Sequence, residues 1–221
     1  MIHLIGKDVK VIEYSASADR ANALTHLVGA VLSVAATVLL LIKAEGTRET
    51  VCSLVYGFSL ITVYTASTVY HSLKPGEKKR IARLIDHSAV PLLIAGTATP
   101  CALISLYKVS PAHGITVFIC GWICALFGIF SKLFFFERLK ALTMTVYIVC
   151  GSLMLFSAVP RLDELDSGGF YILVAGCVFY IIGAVLCGLG AKKEWLHPVF
   201  HLFVLLGSSV HFYAVYAYIL K

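Results

Sequence analysis

The chain alternates long apolar stretches with short polar links. Seven stretches stand out: Ala21–Ile42, Thr50–Leu73, Leu84–Tyr107, Val109–Ser131, Ala141–Pro160, Ser167–Ala191 and Trp195–Leu220. Each is long enough to cross a bilayer as a helix, which takes about 20 consecutive, largely apolar residues for about 30 Å of hydrocarbon. Six of them contain no Asp, Glu, Lys or Arg, and the third contains only Asp86, near its start. The links leave no room for a soluble domain, and no internal repeat or low-complexity tract interrupts the pattern. The pattern predicts an all-α, integral membrane seven-helix bundle over residues 21–221, preceded by an N-terminal segment, residues 1–20.

Composition agrees. Hydrophobic residues make up 59% of the 221 and charged residues 14%, with a mean hydropathy of +0.90. A soluble domain is nearer half apolar and a quarter charged, so a soluble monomer, a disordered chain and a coiled coil are excluded. Cytoplasmic loops carry the excess of Lys and Arg. On one side stand Lys7, Lys10 and Arg20, then Lys74, Lys78, Lys79, Arg80 and Arg83, then Lys132, Arg138 and Lys140, then Lys192 and Lys193. The other side has only Lys43, Arg48, Lys108, Arg161 and Lys221, diluted by Glu45, Glu49, Asp163, Glu164 and Asp166. The bias sets the N-terminus in the cytoplasm and the C-terminus outside, opposite to a G-protein-coupled receptor. The net charge of +6 is therefore a topology signal, and no nucleic-acid partner is expected. The first apolar run exceeds the roughly 7–15 residues of a signal-peptide core, so it is expected to remain as the first helix. The seven cysteines, Cys52, Cys101, Cys120, Cys124, Cys150, Cys177 and Cys187, are scattered along apolar helices and read as small buried hydrophobes.

Ionisable groups at membrane depth are costly and mark functional sites. The candidates are His26, His71, Asp86, His87, His197, His201 and His211. With the topology above, all but His211 fall toward the cytoplasmic ends of their helices. His197-Pro198-Val199-Phe200-His201 sets two imidazoles at i and i+4 on one helix face, and Pro198 is tolerated in a first turn. Ser67 and His71 share the same spacing, so the hydroxyl lies one turn deeper. Three histidines from two helices, with a carboxylate from a third, make a catalytic zinc set with an open position for water, which zinc acidifies toward neutrality. His71, His197 and His201 are the expected metal ligands. Asp86 is expected to take or hold the water's proton, and Ser67 to orient the water or a substrate carbonyl.

Each residue alone has an ordinary reading. A histidine near a helix end can rest at the interface, Asp86 can be a helix N-terminal acid, and Ser67 can be a small packing residue. Their joint occurrence on one side favours the site. His26 and His87 are not expected as primary ligands, and His211 is expected to pair with a carbonyl or hydroxyl inside the bundle.

Several stretches together resemble the hemolysin III family, the bacterial branch of the progestin and adipoQ receptor family that includes the adiponectin receptors. They are Arg20-Ala21-Asn22-Ala23-Leu24-Thr25-His26, Ser67-Thr68-Val69-Tyr70-His71-Ser72, Asp86-His87-Ser88-Ala89-Val90, Ala95-Gly96-Thr97-Ala98-Thr99-Pro100, and His197 to His201 with Gly207 and His211-Phe212. The resemblance runs from about Arg20 to the C-terminus. It implies seven helices with the N-terminus inside, zinc held at the positions of His71, His197 and His201, and the positions of Asp86 and Ser67 associated with the water. The wider superfamily resembles a group of intramembrane metal-dependent hydrolases, with ceramidase-type chemistry suggested for the animal receptors. Just before the Asn22 to His26 stretch stands Asp19-Arg20, where bacterial relatives tend to carry acidic residues, which leaves the share of the first helix in the site open.

The leading expectation is a Zn2+-dependent hydrolase of a lipid amide or ester, working on the cytoplasmic side of a bacterial cell membrane, with membrane lipid as partner and an acyl lipid as substrate. The alternative is a non-enzymatic membrane-homeostasis or sensor protein with a structural zinc. A cytolysin follows from the family name only, since secreted pore formers need a soluble form.

Overall fold

A computed structural model of the chain describes residues 5–190 and 193–220. Lys192 and Lys221 of the charge bias, and Ala191 at the end of the sixth apolar window, lie outside the described residues. Among the described residues, seven helices long and apolar enough to span a membrane follow one another: α1 Ala16–Lys43, α2 Gly46–Ser72, α3 Glu77–Val109, α4 Pro111–Phe135, α5 Lys140–Arg161, α6 Ser167–Gly190 and α7 Leu196–Ile219. The chain is an all-helical, multi-pass membrane protein.

Local chemistry sets the ends. The Ser15 hydroxyl caps α1 by accepting from the Ala18 amide, satisfying an N–H that has no partner inside the helix. Ser110 caps α4 in the same way, with Pro111 in the first turn, where a proline's missing N–H leaves nothing unpaired. Gly46 opens α2 and Gly76 precedes α3, at φ of 84° and 146°, backbone angles that glycine reaches without a Cβ penalty. In α3, the stretch Cys101–Leu106 widens into a π-helix directly after Pro100.

The two largest boundary differences from the hydropathy reading have one physical reason. Helix α1 begins at Ala16 rather than Ala21, and α3 begins at Glu77 rather than Leu84. Charged side chains end an apolar window, but they do not end the backbone hydrogen-bond ladder. Lys79 and Arg83 thus become helical, as does Asp19. Asp86 lies nine residues into α3, so its reading as a first-turn acid favoured by the helix dipole is incorrect.

Helices α1, α2, α3 and α4 pack in sequence, and α7 lies against both α6 and α1, closing the arrangement. Tyr56, Leu60, Val63 and Tyr64 of α2 form the core with Leu40, Leu93, Ile104, Val215 and Ile219. Large apolar side chains such as Leu24, Val31, Phe58, Ile123 and Leu153 point outward and are exposed. Lipid is as apolar as these residues, so helices associate through close packing, which small residues permit. Gly29 and Gly96 are such points: a Cβ at Gly29 would overlap the Tyr64 ring, and one at Gly96 would overlap Ser59.

The N-terminal segment folds across one end of the bundle. The Gly6 amide donates to the Leu133 carbonyl at 2.8 Å, and the Asp8 carboxylate accepts from the amides of Phe136 and Glu137. Arg83 donates to the Lys10 carbonyl and to Glu137 at 2.9 Å, and Ser15 donates to Glu194. This is the end the charge bias assigns to the cytoplasm, and the site lies just beneath it.

Candidate metal centre

Helix α2 runs toward this end and α7 starts from it, so the last turn of one meets the first two turns of the other. His71, His197 and His201 converge there, with one ring nitrogen of each within 4.8 Å of the others. Their ring centroids are 4.7 to 5.2 Å apart. The donor atoms are buried, although His197 as a residue keeps part of its surface exposed. All three expected ligands are thus brought together.

The hydrogen bonds around two of them fix which nitrogen is free. His201 Nδ1 lies 3.2 Å from the Asn22 carbonyl, which can only accept, so Nδ1 carries the proton and Nε2 keeps its lone pair. His71 Nδ1 lies 2.9 Å from Asp19 Oδ1, while the Lys79 ammonium donates to Asp19 Oδ2 at 2.5 Å. A carboxylate paired with a buried ammonium is ionised, so His71 Nδ1 donates to it. His71 Nε2 then stands as a buried acceptor without a hydrogen-bond partner. A buried polar atom left unpaired is uncommon, and a cation between the three imidazoles would satisfy it. Neutral imidazoles with one nitrogen donating to protein and the other free are what a zinc site requires, so the residues fit the ion.

Asn22 Nδ2 lies 3.3 Å from the same His71 Nδ1, a donor facing a donor. In the opposite amide orientation the Asn22 oxygen, otherwise buried without a partner, accepts from His71 instead.

Other groups close around the triad. The Tyr14 ring lies 5.1 Å from His197 and 5.7 Å from His71, and burial holds its phenol above the ordinary tyrosine range. His26 stacks on His201 at 3.6 Å, and both its nitrogens are buried without partners. Asp86 Oδ2 approaches His87 Nδ1 to 3.0 Å, in an alignment short of a hydrogen bond. His211, as expected, turns to a backbone group, donating from Nε2 to the Leu173 carbonyl at 2.9 Å. All seven cysteines are free, and Cys124 faces Cys150 on α5, Sγ to Sγ at 2.8 Å.

A cavity of about 530 Å³ opens beside the triad. His26, Ser67, Asp86, His87, His197 and His201 line one end, and its walls continue through apolar residues such as Leu93, Ile94 and Ile148 to Lys108 and Glu164. Ser67 and Asp86 thus share one cavity with two of the three expected ligands.

Asp19, Lys79 and Tyr14 were not expected in the site. The available signal was the polar content of one face of α1, where Asn22 and His26 lie at i and i+4 and both are buried. Asp19 precedes them by one turn but fell among the charges that label the loops.

A seven-helix membrane bundle with a buried histidine triad at one end and a cavity beside it is the class defined by these observations. The profile of a family described as Haemolysin-III related matches residues 14–212, and the chain belongs to that family. It is 39% identical to "Hemolysin-3" of Bacillus cereus over 203 residues, covering 90% of this chain and 91% of the relative. It is 37% identical to "Hemolysin-3 homolog" of Bacillus subtilis (strain 168) over 204 residues, covering 91% and 94%. The human "Monocyte to macrophage differentiation factor" is 25% identical over 210 residues, covering 91% of this chain and 84% of that one.

Proposed function

We propose that the protein is a zinc-dependent hydrolase of a lipid amide or ester in the cell membrane of a bacterium, as the Bacillus relatives suggest, working at the cytoplasmic end of the bundle. The observation that carries this reading is the convergence of the His71, His197 and His201 donor atoms at one end of a largely apolar cavity. His71, His197 and His201 would hold the ion, which supplies Lewis acidity at its remaining coordination position.

The chain's own groups provide the rest. The apolar walls accept an acyl chain and keep bulk water from the reacting end, which strengthens the electrostatic interactions there. The Asp86 carboxylate accepts the attacking water's proton at that end, with the His87 ring beside it at 3.0 Å. The Ser67 hydroxyl donates to a substrate carbonyl oxygen. A purely structural zinc prefers a closed sphere of four protein ligands, but the ligand group among the described residues holds three histidines and no carboxylate, which favours an open site. A cytolysin would need a soluble form, and the exposed apolar belt opposes one.

The test is fatty-acid release from defined N-acyl amides and acyl esters by the purified, zinc-loaded protein in detergent micelles. Release that stops on chelation and falls about 10²- to 10⁴-fold in Asp86→Asn, the range of a lost general base, with zinc content unchanged, supports the reading. Zinc-loaded protein that releases nothing from any of these lipids overturns it.

A further inference from the structure

Helix α1 supplies no ligand to the triad, yet two of the three ligand rings are held by groups on it. His201 Nδ1 meets the Asn22 carbonyl and His71 Nδ1 meets Asp19. The Asp19 carboxylate is divided between two tasks: Oδ1 faces His71 at 2.9 Å and Oδ2 faces Lys79 at 2.5 Å. The Lys79 side chain is only 1% exposed, with its ammonium over the Tyr70 ring at 5.4 Å. Asp19 is its only ion-pair partner among the described residues. A buried ammonium keeps its one counter-ion in place, because separating them leaves an uncompensated charge in a low-dielectric setting.

We propose that Asp19, clamped by Lys79, is a positioning residue for the metal centre: it fixes His71 in the tautomer whose Nε2 points its lone pair at the shared site. This rests on the zinc reading above and names the device that prepares one of its ligands. Outer groups that hold a ligating histidine orient the ring and raise its basicity, and their loss typically weakens metal binding 10- to 100-fold. Asp19 also faces an alternative explanation, that it serves only to neutralise Lys79. The two differ in what happens when both charges are removed together.

The experiment is cobalt(II) titration of the purified full-length protein in micelles, read by the ligand-field absorption bands, alongside zinc affinity measured against a chromophoric chelator. The variants are Asp19→Asn, Lys79→Met, the double variant, and Asp19→Glu. Asp19→Asn is expected to weaken binding about 10- to 100-fold and to shift the cobalt bands, with Asp19→Glu recovering part of the affinity. The double variant buries no unpaired charge and remains folded even if Asp19→Asn does not. It is expected to regain thermal stability without regaining metal affinity. Parent-like affinity in Asp19→Asn, or recovery of affinity in the double variant, overturns the positioning role while leaving the zinc site standing. A parent protein that binds no cobalt sinks the zinc reading, and this role with it.

Discussion

His26 lies flat on His201, with ring centroids 3.6 Å apart and planes inclined by 12°. His26 also meets Tyr64 at a right angle, with centroids 5.0 Å apart, so a ring that supplies no expected ligand atom touches both a core tyrosine and one of the triad histidines. Stacked pairs contribute about 0.5–1.5 kcal/mol beyond burial, roughly up to 10-fold in an equilibrium constant. His26→Ala is therefore expected to weaken zinc binding by about 10-fold, and His26→Phe, which keeps a stacking ring, to leave it within a few-fold of the parent. Chelator competition on the two variants decides. Equal losses in both would show that the ring's nitrogens matter rather than its face.

Tyr64 in turn depends on a glycine. A Cβ at Gly29 would overlap its ring, whereas a Cβ at Gly188 meets nothing within 4 Å. Overpacking a fitted interior costs typically about 1–3 kcal/mol, while replacing an unconstrained helical glycine by alanine gains about 0.5–1 kcal/mol. Gly29→Ala is expected to lower the thermal unfolding midpoint and Gly188→Ala to leave it unchanged or raise it slightly. The comparison fails if both shift the midpoint in the same direction.

How much of this was legible in the sequence follows from where each residue sits. Six uncharged apolar runs and a seventh with only Asp86 are a direct record of lipid as solvent, so the seven spans needed no other information. The i, i+4 pair His197 and His201 is visible because a helix writes its faces into spacing. Asp19 and Lys79 were not legible as site residues. Hydropathy discards charges at the edge of a span, and their pairing depends on α1 and α3 meeting over the end of α2. The pairing of Asp86 with His87 depends on side-chain rotation about adjacent positions, which a spacing argument treats as facing apart. The cavity depends on how several helices pack, α5 among them through Tyr147, Ile148 and Leu155, and no residue spacing records it.

Tyr14 gives the site a pH signature outside the membrane spans. Burial, the largest cause, keeps the phenol neutral above its ordinary range in the folded protein, while in the unfolded chain it ionises near pH 10. The folded value is raised, so this contribution to stability is complete below about pH 10 and is lost as pH rises above it. Tyr14→Phe removes the ionisable group. Its thermal midpoint is expected to fall less than that of the parent between about pH 9 and 11, and parallel curves for the two proteins would contradict the burial of the phenol.

Proton competition gives the opposite sign for the metal. Histidine ligands must be neutral to bind, so zinc affinity falls on acidification. Retention after dialysis is expected to decline progressively on acidification, and retention that ignores pH would argue against imidazole ligands.

The central claim is that His71, His197 and His201 hold one zinc ion at the end of the cavity. Elemental analysis of the purified chain tests it directly, with His71→Ala, His197→Ala and His201→Ala beside it and His211→Ala as a histidine variant away from the triad. The account predicts about one zinc per chain in the parent and in His211→Ala, and loss of the metal in each of the three triad variants. A parent without stoichiometric metal, or His201→Ala that keeps it, would contradict the account.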